Sequence, residues 1–60
     1  MNKLVLGQYL VDKKDEKIVA QVVDEYEKFY LVEVHAVAGK YVESIFKHNW
    51  KTDETRWRLL

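Results

Sequence analysis

The sequence predicts a small all-β domain: five antiparallel strands in a strongly bent sheet or a small barrel. Three observations predict it. Residues 28–37 place Tyr30, Val32, Val34 and Ala36 on even positions, while the odd positions pass from Phe29 and Leu31 to Glu33 and His35. That period of two, in β-branched and aromatic residues, is the mark of a strand with one face in a core. Two further apolar runs, 4–11 and 18–23, are set off by the charged stretches 12–17 and 24–27, the spacing of an antiparallel meander. Residues 55–60 alternate again, as a closing strand does.

Sixty residues make one domain, 1–60, near the lower limit for folding alone. A chain of this size buries only about 60% of the surface its unfolded form exposes. An apolar content of 48% and eight aromatic side chains offset that thin core. With no cysteine, neither a disulfide nor a thiolate metal site staples the fold. Packing, the sheet or a partner subunit must hold it.

The first strand covers 4–11, with Val5, Tyr9 and Val11 on one face and Leu4, Leu6 and Leu10 on the other. Gly7 in its middle marks a bulge or a bend. Six charged residues, 12–17, form the first turn, a solvated one. The second strand, 18–23, turns Ile18, Ala20 and Val22 one way and Gln21 the other. An acidic turn with Tyr26 at its tip leads into the third strand, and Gly39 after it supplies a positive φ.

Residues 41–50 carry two patterns. Tyr41, Val42, Ile45, Phe46 and Trp50 form a helical stripe, while Val42, Phe46 and Trp50 also fall in alternation with Ser44 and His48. Their β-leaning side chains favour a fourth, irregular strand; the alternative is one short helix across the mouth of the sheet. After a polar turn at 51–54, Trp57 and Leu59 alternate with Arg56 and Arg58 in a closing strand. Tyr30 and Trp57 are the aromatics expected in the core.

The composition argues against catalysis. Ser44 is the only serine, and neither His35 nor His48 has a nucleophile at a recognisable spacing. Most carboxylates fall in turns, where burial cannot raise a pKa for general acid work. A small barrel also has little room for a pocket of the ~300 Å³ that ligand sites need. The chain is therefore read as no enzyme, and no cofactor is expected. Glu33, His35 and His48 offer three metal-ligand types, but solvent-facing residues of a half-exposed sheet explain them, and no metal is assigned. Two isolated glycines make no phosphate loop.

Ten basic side chains balance ten acidic ones, so no global field steers the chain to nucleic acid or to a membrane. No apolar run approaches the ~18 residues of a membrane span. The N-terminal stretch is too short and polar for a secretory signal. A cytoplasmic protein, bacterial or phage-encoded, is expected. The eight aromatics are more than so small a core takes in, which leaves an exposed patch of the kind that marks contact surfaces; the alternative is a fourth segment that folds over them. Phe29, Leu31, Tyr41, Phe46 and Trp50 form the expected centre of a protein-binding patch, with Lys47 and Arg58 at its rim.

A second reading uses Trp50 and Trp57 as stacking platforms for single-stranded nucleic acid, flanked by Lys40, Lys47, Lys51, Arg56 and Arg58. Zero net charge and the acidic pair Asp53 and Glu54 weigh against it. A third makes the patch the interface of a homodimer. The edge of an open barrel also offers pairing to a partner strand or a second copy.

Gly7 ahead of Tyr9-Leu10-Val11-Asp12, the strand Ile18-Val19-Ala20-Gln21-Val22-Val23 and the run Tyr30-Leu31-Val32-Glu33-Val34 together resemble SH3-like small barrels of the KOW and Tudor type. Residues 7–37 are also faintly similar to the start of the kinase-associated B proteins of sporulating Gram-positive bacteria, a likeness that ends at Gly39. The resemblance covers about half the chain, rests on core-forming residues, and implies a barrel fold and a binding role. It implies no particular ligand.

Overall fold

The computed structural model describes residues 3–60. In chain order it contains β1 (Tyr9–Asp12), β2 (Val19–Glu25), β3 (Phe29–Ala36), β4 (Gly39–Phe46), the helix α1 (Lys47–Lys51) and β5 (Trp57–Leu59). The strands form one antiparallel sheet in the order β4-β3-β2-β1-β5. No ladder joins β4 to β5, so the sheet is bent but not closed into a barrel.

The expected alternation holds through the centre. Leu10 faces Ala20, Ala20 faces Val34, Val22 faces Val32, and Tyr30 faces Ile45. Because partners across a ladder share a face, these residues line one concave surface, and all of them are buried. Leu4 and Trp50 cover it from outside the sheet, and Trp57 completes it from β5. Tyr30 and Trp57 take the core places expected of them. A register shift between Val22 and Asp24 on β2 adds to the bend.

Three segments differ from their sequence reading. The first strand begins only at Tyr9, because Gly7 takes φ 88 and turns the chain. Gly7 N–H donates to the Val22 carbonyl at 2.8 Å, while the Val22 N–H donates to the Gln8 carbonyl at 2.9 Å. Residues 41–50 divide: β4 runs to Phe46, and a single helical turn then carries Trp50 over the open end of the core. The alternation is realised at Val42, Ser44 and Phe46, whereas the helical stripe is not: Tyr41, Val42, Ile45 and Phe46 lie on β4, and the short helix holds Trp50 alone of its members. A tight connection ends the helix, with Glu54 N–H bonded to the Asn49 carbonyl and Asp53, at φ 59, donating to the Trp50 carbonyl.

The third difference is Asp12. It belongs to the end of β1 and is buried, whereas its place in a charged run predicts a solvated turn residue. Its Oδ1 accepts the backbone N–H groups of Lys14 (2.7 Å) and Asp15 (3.1 Å), and its Oδ2 accepts from Arg56 Nε at 2.7 Å. A carboxylate bonded on both oxygens can leave water.

Candidate interaction surfaces

The register of β3 and β4 places Phe29 directly opposite Phe46 and Leu31 opposite Ser44, all on the face turned away from the core. Phe29 and Phe46 meet edge to face with ring centroids 6.3 Å apart. Tyr26, at the β2–β3 turn, stacks on Phe29 at 4.8 Å, held there by its N–H bond to the Phe29 carbonyl. Phe46 is 56% and Tyr26 47% exposed, while Phe29 and Leu31 are half-buried beneath them. The result is a contiguous aromatic surface at one end of the outer face. Among the described residues no other strand folds over it. Beside it, Glu27, Lys28, Phe46, Lys47, His48 and Asn49 line a shallow hollow of about 370 Å³. This hollow lies between the β2–β3 turn and α1, outside the core whose small volume argues against an internal pocket.

The structure thus assembles Phe29, Leu31 and Phe46 from the expected centre and separates the rest. Trp50 is only 2% exposed and belongs to the core, because the helical turn swings it inward. Tyr41 lies on the core-side face of β4, where its hydroxyl accepts a 3.3 Å bond from Arg56. Arg58 stands on β5, across the sheet from β4, with Glu16 at 3.7 Å. Lys47 borders the hollow, but its ammonium turns away to Glu25 (2.8 Å) and lies over the Tyr30 ring at 5.2 Å. Lys47, with Lys3 nearby, holds the Glu25 carboxyl below its ordinary value against the opposing effect of partial burial. Tyr26 is the member that sequence reasoning left out of the patch. Its position three residues before Phe29, across a short turn, was the available signal.

The indoles proposed as stacking platforms are both buried, Trp50 at 2% and Trp57 at 1% exposure. Glu33 and His35 pair on the outer face at 2.9 Å, whereas His48 stands on α1. Among the described residues no cluster of three or more His, Cys, Asp or Glu is placed to hold a metal ion.

A second feature lies where the sheet fails to close. Arg56 bonds Asp12 through Nε and a terminal nitrogen, both at 2.7 Å. Its other terminal nitrogen reaches Glu43 on β4 at 2.8 Å, and the guanidinium lies over the Trp57 ring at 4.6 Å. One side chain therefore ties the β1–β5 edge to β4, with no backbone pairing between them. The bonds from the Lys14 N–H and from Arg56 hold the Asp12 carboxyl below the usual range, outweighing desolvation. Along this seam, residues 43–46, Asn49 and residues 54–57 enclose a cleft of about 230 Å³.

Comparison with known proteins finds no matching family model, no matching curated protein and no matching solved structure. Among the described residues no helix is long and apolar enough to cross a membrane.

Proposed function

We propose that this chain is a non-catalytic protein-interaction module that docks a larger protein on the surface made by Tyr26, Phe29, Leu31 and Phe46. The observation that carries this reading is the exposure of Phe46 and Tyr26 on top of a half-buried Phe29. Stacked, mutually braced rings lose little side-chain freedom on binding, which is why aromatic residues dominate the centres of protein interfaces. The hollow beside Phe46 gives an incoming side chain a place to seat, with Lys28 and His48 at its border. The strand order and the bend at Gly7 support reading the fold as an SH3-like barrel of the KOW or Tudor type left open at one seam. Such barrels act mostly by binding. A cytoplasmic setting in a bacterium or phage belongs to the same proposal.

A photo-crosslinking phenylalanine analogue at position 46, irradiated in the cell that makes the chain, tests the reading. One discrete heterologous adduct is expected. It should disappear with Tyr26→Ser or Phe29→Ser, and a probe at Val37, 94% exposed at the far end of β3, should trap none. An adduct of twice the chain's mass would overturn the reading in favour of self-association. An adduct to nucleic acid, or none, would also overturn it.

A further inference from the structure

The backbone of β4 has a free edge opening on the seam. Lys47 N–H donates to the Lys28 carbonyl at 2.9 Å, and residues 28 and 47 continue the β3–β4 register. In an antiparallel ladder bonded and non-bonded pairs alternate. Tyr41, Glu43 and Ile45 therefore direct their N–H and C=O groups at β3, while Val42, Ser44 and Phe46 direct theirs away from the sheet. Among the described residues the outward groups of Val42 and Ser44 have no backbone partner, whereas the Phe46 carbonyl, at the N-cap of α1, is taken by the first bond of the helix.

The facing edge of β5 is different. There Lys13 N–H bonds the Arg56 carbonyl, so by the same alternation Trp57 and Leu59 point their backbone outward, and Trp57 is the one at the cleft. Thr55 covers it: its Oγ1 accepts the Trp57 N–H at 3.1 Å and donates to the Trp57 carbonyl at 3.2 Å. One wall of the cleft is capped and the other is open. An unpaired edge beside a cleft is the arrangement by which sheets take up an added strand.

The cleft also carries a charge preference. Glu43 and Glu54 line it, and Asp12 lies behind Arg56, so three carboxylates stand against one guanidinium. Glu54 is exposed, and its carboxylate accepts from the Thr52 hydroxyl. The volume suits a few residues of a single extended segment rather than the edge of a second domain.

We propose that the outer edge of β4 binds an extended peptide segment bearing a basic side chain, as an added strand between β4 and residues 54–57. This site borders the outer aromatic surface at Phe46 but rests on the β4 backbone, and stands without that reading. Backbone pairing at Val42 and Ser44 supplies the hold, and the surplus carboxylates select a lysine or arginine over an acid.

The test is an amide NMR titration with a short peptide alternating valine with threonine and lysine. Saturating shifts and slowed exchange at the Val42 and Ser44 amides are expected. The same peptide with glutamate for lysine should bind about tenfold more weakly or worse. Ser44→Pro removes one outward N–H without touching the β3 ladder, which proline tolerates at an edge, and should weaken binding about five- to tenfold. An N-methylated peptide with the same side chains asks the same question without any variant, and should not bind. Absence of a saturable shift, shifts confined to Tyr26 and Phe29, or equal binding of the N-methylated peptide would overturn the proposal.

Discussion

Asp12 sits at the end of a strand with its carboxylate buried, and its behaviour with pH follows from its partners. Bonds from the Lys14 and Asp15 N–H groups and from Arg56 favour the ionised form, so its folded pKa lies below its unfolded one. Between those two values the unfolded chain binds more protons than the folded one. Stability from this carboxylate is thus complete above the unfolded value of ~3.9 and falls as the pH drops through the folded value. Glu25, lowered mainly by Lys47, acts in the same direction. Thermal melts from pH 6 to pH 2 should show stability falling below about pH 4, and Asp12→Asn should flatten that fall while lowering stability at neutral pH. Gly7 yields a second residue-level prediction. A Cβ there meets nothing within 4 Å, so space is not at issue, but φ 88 suits glycine. Gly7→Ala should cost about 1–2 kcal/mol in a denaturant titration.

Element by element, the sequence was most readable where two signals agreed. β3 and the core face of β2 carry both strict alternation and strand-forming side chains, and their buried faces match the pattern. The helical turn was harder to read, because five residues are too short for a period to declare itself. Trp50 was misplaced for the same reason: whether it faces in or out depends on a change from strand to helix after Phe46 that no local propensity announces. The Arg56 contacts were unreadable for another reason. Its partners Asp12 and Glu43 lie 44 and 13 residues away, and nothing local in the chain couples them. Phe29 and Leu31 were legible as outer-face residues, and Phe46 joined them through its register. Since α1 contributes Trp50 to the core, Trp50→Ala should cost about 3–5 kcal/mol. A 60-residue domain has roughly 3–9 kcal/mol in total. Denaturant titration followed by circular dichroism should therefore show that variant losing a large share of its stability, whereas Ser44→Pro should keep its secondary structure.

At the scale of the whole molecule, the defining property is an open sheet tied by one side chain. Hydrogen bonding from β4 through to β5 is continuous, yet no ladder joins the two ends of that series, and Arg56 bonds across the gap between them. This openness leaves two surfaces that meet at Phe46: an aromatic one on the outer face, and a backbone edge along the seam. Arg56→Lys keeps the charge but not the planar fork that reaches Asp12 and Glu43 together. It should lower the melting temperature and speed exchange along β4 and β5 more than in β2 and β3, which hydrogen exchange resolves residue by residue.

The measurement that tests the open sheet most directly is native-state amide exchange along β4 in the unliganded protein. Tyr41, Glu43 and Ile45, bonded to β3, should be protected, and Val42 and Ser44, facing the seam, should exchange at nearly unfolded rates. Equal protection at all five amides would mean that β4 is paired on both edges. That result would contradict the open seam and the peptide site built on it.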